Sequence, residues 1–215
     1  MTSIVFGTSN YQYTEKVLED FPELRGQITK SQIKTNAFDK LTQIFFDKKP
    51  ENGENYIQLI GRQNNERTYK WIKRDYVTDG TNLNKYKVIL PNSNGTGAIG
   101  EVLSTPLIGE PLIGEPLIGT TQTFITVGKF ETLQEAEFAL KYIKSKFART
   151  LLGVMKITQH NTPETWRKVP LQNFTPNSDI DWTKSISEID QQLYDKYGLD
   201  ECEIAFIEEK VKSME

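Results

Sequence analysis

Polar and hydrophobic positions change rhythm twice along this chain. The first fifty-odd residues are mixed. Tyr13, Val17, Leu18 and Phe21 fall at helical spacing and stop at Pro22, which predicts a short helix. "NAFDKLTQIFF" (residues 36–46) fits a short helix or a strand entry, and "DKKPENGEN" reads as a loop. From Asn55 the period shortens towards two. "NYIQLIGR", "YKWIKRDYV", "KYKVILP" and "QTFITVGKF" read as strands, with a turn cluster at "TDGTNLN". At Thr132 the period lengthens to that of a helix. Leu133, Ala136, Ala139, Leu140, Ile143, Phe147, Leu151 and Leu152 make one apolar stripe, opposite Lys141, Lys144, Lys146 and Arg149. Thr132 followed by Glu135 forms a capping box, so one long helix is expected from there to about Lys156. Residues 185–214 read as two short amphipathic helices broken at Gly198.

The pattern predicts an α+β (mixed) fold with a β-rich body, a long supporting helix and a helical C-terminal appendage. The expected divisions are an N-terminal extension over residues 1–54, the β-rich body over 55–175, and a helical tail over 176–215. Inside the body, residues 104–121 read "STPLIGEPLIGEPLIGTT", the pentapeptide Pro-Leu-Ile-Gly-Glu written almost three times. A proline every fifth residue forbids a helix, and a period of five matches no solenoid. The segment therefore reads as a loop between two strands, lengthened by neutral duplication. A sharper reading is that copy number sets the spacing of recognition elements, at up to ~17 Å per extended unit.

Composition narrows the class. Of 215 residues, 37% are hydrophobic and 11% aromatic, enough for a buried core. No apolar run approaches the ~20 residues of a membrane span, and the opening residues lack a secretory pattern. With one cysteine, Cys202, a disulfide framework is excluded and the cytoplasm is the expected compartment. The net charge of −3 is unevenly spread. From Tyr56 to Leu90, Arg62, Arg67, Lys70, Lys73, Arg74, Lys85 and Lys87 oppose only Glu66, Asp75 and Asp79. A second basic stretch runs from Lys141 to Lys168, and the residues after Ser178 are acidic. Local positive excess is what a phosphate backbone would feel.

Catalytic patterns do not assemble. Gly95, Gly97 and Gly100 match G-x-G-x-x-G after a strand, but prolines follow too soon for the helix whose amides would meet a phosphate. His160 is the only histidine and lies far in sequence from Cys202, so neither a metal cluster nor a Cys–His pair is expected.

The segments "EAEFALKYIKSKFARTLL", "KVPLQNFTPNSDIDWTKSISEID" and "YGLDECEIAFIEEKV" resemble the C-terminal region of bacterial type II restriction-modification proteins. The likeness continues more loosely upstream through "YKWIKRDYV" and "NKYKVILPNSNGTG", and so spans Tyr56 to the end. In that family the region is the target-recognition (specificity) domain of adenine methylases, some of them fused to an endonuclease. The methylase motif Asn-Pro-Pro-Tyr does not occur here. The resemblance therefore implies recognition of double-stranded DNA for a methylase or endonuclease domain or subunit, without catalysis in this chain. S-adenosylmethionine and Mg2+ would belong to the catalytic partner, and no cofactor is expected here. Two alternatives stay open: a nuclease subunit with an unrecognised site, and an assembly module that recruits a methylase through its apolar tail without reading DNA.

Phosphate contacts position a DNA reader and base-edge contacts specify its target. The expected phosphate contacts are Arg62, Lys70, Lys73, Arg74, Lys85 and Lys87, gathered on one concave surface. Base reading calls for paired donors and acceptors. The candidates are Gln63, Asn64, Asn65, Asn92, Asn94 and Gln122.

Overall fold

The computed structural model describes residues 6–8, 11–78, 80–93, 107–156 and 160–214. Asn94 and the glycine motif at 95–100 lie outside them.

The chain is α+β. Two sheets stand against each other, and each carries its own helical or irregular layer. The first sheet has strand order β1-β7-β4-β5, formed by Phe6–Thr8 (β1), Phe124–Phe130 (β7), Tyr86–Pro91 (β4) and Leu112–Gly114 (β5), with every pairing antiparallel. The second has order β3-β2-β6. Tyr56–Gln63 (β2) and Glu66–Lys73 (β3) form an antiparallel hairpin, and Ile118–Thr120 (β6) runs parallel to β2. Alternation divides β2 cleanly. Ile57 and Leu59 join the core shared with the N-terminal residues, while Ile60 faces the other way and meets Ile89 and Phe124 of the first sheet.

The N-terminal residues are half of the second sheet's core. Lys16–Asp20 (α1), a 3-10 turn over Pro22–Gly26 and the four-residue Ala37–Lys40 (α2) bring Val17, Leu24, Ile33, Phe38 and Ile44 onto its outer face. The ambiguous stretch at 36–46 therefore resolves into one helical turn, and only Phe46 makes an isolated bridge, to Trp71.

The first sheet is covered by helices. Thr132 caps Leu133–Lys144 (α3) through the expected capping box with Glu135. The single long helix is not what forms. Ser145 leaves helical geometry, and its side chain accepts from the Ala148 amide to start a second helix, Lys146–Met155 (α4). The break turns Arg149 inward: although it falls opposite the apolar stripe, it is fully buried, and it donates to the carbonyls of Lys144, Ser145 and Lys212. Asp190 completes the junction by accepting from the Lys146 and Phe147 amides at the start of α4, and burial raises its pKa to about 6. Ile186–Tyr197 (α5) ends at Gly198 in the left-handed region, and Glu201–Lys210 (α6) follows. Leu193, Tyr194 and Ile207 close the core over α3 and α4. No helix among the described residues is long and apolar enough to cross a membrane.

The repeat is the chief departure from expectation. Its described part, from Leu107 onward, is not a free loop. The first copy buries Ile108 in the helix-side core, the second supplies β5 to the first sheet, and the third supplies β6 to the second. The repeat therefore crosses between the sheets and belongs to both.

Candidate nucleic-acid interface

Most of the cations expected to meet phosphate are already engaged within the protein. Lys70 is nearly buried and pairs with Asp47. Lys73 pairs with Glu54 at 2.5 Å, and the ammonium holds that carboxyl below its usual range. Arg74 donates to the Val77 carbonyl at 2.7 Å. Lys85 is held by Glu131. Lys87 is fully buried, its ammonium donating at 2.9–3.2 Å to the carbonyls of Asn82, Leu83, Lys85 and Glu115. Desolvation draws its pKa down to about 7. Lys87 therefore leaves the set of phosphate contacts, because a phosphate cannot reach it. Lys70, Lys73 and Lys85 would have to give up a carboxylate first, and Arg74 a backbone carbonyl. Five of the six expected cations are thus committed to partners within the protein and are not left free on a common surface. The basic residues of the long apolar-striped segment act as braces instead: Lys141 donates to the carbonyls of residues 182–184, Lys144 pairs with Glu110, and Lys146 with Glu208.

One place differs. The β2–β3 hairpin turns on Asn64 and Asn65, with φ of 49° and 68°. Two consecutive left-handed residues between directly paired Gln63 and Glu66 are what a two-residue hairpin of the right twist requires. The turn fixes the register behind it, so Arg62 stands directly opposite Arg67 on one face. Like charges across a strand pair repel. Among the described residues neither arginine has a carboxylate within ion-pair distance. Arg62 donates from Nε to the Asn65 carbonyl at 3.0 Å, and Arg67 donates to the Glu110 carbonyl and lies 5.8 Å from the Phe124 ring centre. With Asn65, Ser93 and Thr123 they border a cleft of about 310 Å³.

The base-reading candidates divide between two sides of this tip. Asn64 and Asn65 are exposed at its end. Asn92 is half-buried beside Ser93, tied by its backbone to Thr123 and Asn161. Gln63 points to the opposite face and donates to Asp39 at 3.1 Å, and Gln122 donates to Gln32 at 2.7 Å. Arg67 was absent from the expected contacts. The signal for it was the Asn-Asn pair between two alternating runs, which sets the register that makes Arg67 the partner of Arg62.

No group of three potential metal-ligating side chains forms among the described residues. No protein-family model matches this chain, and neither a curated protein nor a solved structure matches it.

Proposed function

We propose that this chain binds double-stranded DNA through the tip of the β2–β3 hairpin and serves as the specificity part of a restriction-modification system. The observation that carries the DNA reading is the Arg62–Arg67 pair: two guanidinium groups directly opposed, without carboxylates, on a surface where other cations are neutralised. Such a pair is relieved when an anion lies between its members. A two-stranded ribbon fits the width of the major groove, and arginine and asparagine are the side chains that read guanine and adenine edges there. The assignment to restriction-modification rests on the sequence resemblance of residues 56–215 alone.

The test is fluorescence anisotropy with labelled duplexes over a salt series. With both arginines neutralising a phosphate, log K should fall with log salt at a slope of about −2. Replacing both by alanine should weaken every duplex and flatten that slope. Asn64→Gly with Asn65→Gly keeps the left-handed turn while removing both amide side chains. It should reduce discrimination between sequences more than it reduces affinity. Unchanged binding in the double-arginine variant, with the fold intact by circular dichroism, sinks the proposal.

A further inference from the structure

A second cationic cleft lies on the other side of the 121–123 turn, where the Gln122 amide group reaches Gln32 and its backbone N–H donates to the Ile33 carbonyl. Its volume is about 340 Å³, within the range of sites that take small ligands. Lys30, Lys34 and Lys40 line it, and no aspartate or glutamate does. Among the described residues none of the three lysines forms an ion pair. Lys34 donates only to the Thr29 hydroxyl, at 3.3 Å. Elsewhere the lysines are mostly matched to carboxylates or backbone carbonyls, so three unmatched ones around one cleft stand apart. Ile28 and Leu41 provide an apolar wall.

The second observation comes from Tyr13, which also lines the cleft. It is 7% exposed, and its hydroxyl is buried without a hydrogen-bond partner. A buried polar group left unpaired costs stability, and native proteins keep few of them without a use. Burial raises this hydroxyl well above the ordinary tyrosine pKa, so it remains a donor at any physiological pH. Three point charges, a protonated phenol and an apolar wall without an acid match a phosphate group with a flat organic body attached.

We propose that this cleft is a phosphate-binding site, with Lys30, Lys34 and Lys40 supplying the charge and the Tyr13 hydroxyl, once a small shift of the lining uncovers it, a hydrogen bond. The phosphate could belong to a free nucleotide or to the backbone of a polynucleotide, and the chemistry of recognition is shared. The inference does not depend on the hairpin tip reading DNA.

Isothermal titration calorimetry on the full chain tests it with inorganic pyrophosphate, ADP and a short duplex as separate probes. Pyrophosphate should bind, and Lys34→Glu with Lys40→Glu should weaken it by at least about ten-fold, because each change replaces attraction by repulsion. Tyr13→Phe should also weaken pyrophosphate while leaving the thermal midpoint equal or higher, since no bond is lost in the free protein. Arg62→Ala with Arg67→Ala should leave pyrophosphate affinity unchanged, which separates this site from the hairpin tip. ADP binding tighter than pyrophosphate identifies a nucleotide as the ligand. A duplex that competes with pyrophosphate, with ADP no better than pyrophosphate, identifies the polynucleotide backbone. Absence of binding by all three probes at millimolar concentration overturns the proposal, as does an affinity that the lysine reversals do not change.

Discussion

The first and third copies of Pro-Leu-Ile-Gly share their residues, and in both the leucine has a φ of 66°. Yet Leu107 is 4% exposed and Leu117 is 46% exposed. Ile108 fills the core beneath the helices, whereas Ile118 belongs to an edge strand of the other sheet. What stays constant is the glycine. A Cβ on Gly109 would meet the Pro91 ring at 2.7 Å, one on Gly114 the Ile89 Cδ1 at 2.6 Å, and one on Gly119 the Leu59 Cδ2 at 2.6 Å. Each copy thus offers bare backbone on which a neighbouring side chain lies. The residue joining copies one and two and the residue joining copies two and three both give a carbonyl to a cation, Glu110 to Arg67 and Glu115 to Lys87. The duplicated unit has become a docking surface used in three settings.

Removing one copy is the strongest way to break that relation. Deleting residues 111–115 leaves two units to do three tasks: fill the helix-side core, pair with β4 and pair with β2. The loss should exceed ~4 kcal/mol, beyond what ordinary single changes cost. The deleted protein should show no cooperative urea transition. A deletion variant with unchanged stability would restore the loop reading that the sequence suggests.

Substitution within copies sharpens the contrast. Ile108→Ala removes a fully buried side chain and should cost about 2–5 kcal/mol in urea titrations. Ile113→Ala, at a half-buried edge position, should cost less than about half as much.

The clamp between copies two and three carries a pH signature. Lys87 has a folded-state pKa drawn down to about 7, whereas in the unfolded chain it titrates near the ordinary lysine value. Above pH 7 the unfolded chain holds this proton and the folded protein releases it, so stability should rise from about pH 7 to 10. The four carbonyls around the ammonium oppose part of that burial effect, so the gain is smaller than the full shift would give. Lys87→Met should remove the rise without touching an ion pair. Equal pH slopes in the two proteins would mean that burial does not perturb this lysine.

Alanine at the three repeat glycines gives a smaller, graded effect. The Pro91 ring beside Gly109 cannot rotate away, whereas the nearest contacts at Gly114 and Gly119 are the terminal methyl groups of Ile89 and Leu59. Gly109→Ala should therefore lower stability the most, by roughly 1–2 kcal/mol, with the other two below it.

These contrasts also explain what was legible in the chain. The cap at Thr132 and the break at Gly198 depend on neighbours within a few residues, and the α+β class follows from periodicity. The break at Ser145 was hidden because the apolar stripe runs through it without interruption. The strands in the repeat were hidden because proline spacing describes what a segment cannot be, while pairing with β4 and β2 is decided by distant residues. Neutralisation of the cations was invisible for the same reason: Lys70 finds its carboxylate 23 positions away and Lys85 finds its own 46 away. The cleft lined by Lys30, Lys34 and Lys40 was not foreseen at all, because only the fold brings them beside Tyr13.

The smallest expected effect separates the first copy from the third most sharply. The left-handed region costs an ordinary L-residue roughly 1–2 kcal/mol, and glycine enters it freely at some entropic cost. At Leu117 the side chain is half in solvent, so Leu117→Gly trades little buried area for relief of that strain. It should raise the thermal midpoint slightly or leave it unchanged, a shift of at most ~1 kcal/mol. At Leu107 the backbone angle is the same but the side chain is buried, and the lost burial outweighs the relief, so Leu107→Gly should destabilise. Opposite signs at equal φ would show that packing, not backbone preference, distinguishes the copies. Equal signs would mean that the two leucines are held by the turn alone, and that the difference in their exposure carries no energetic weight.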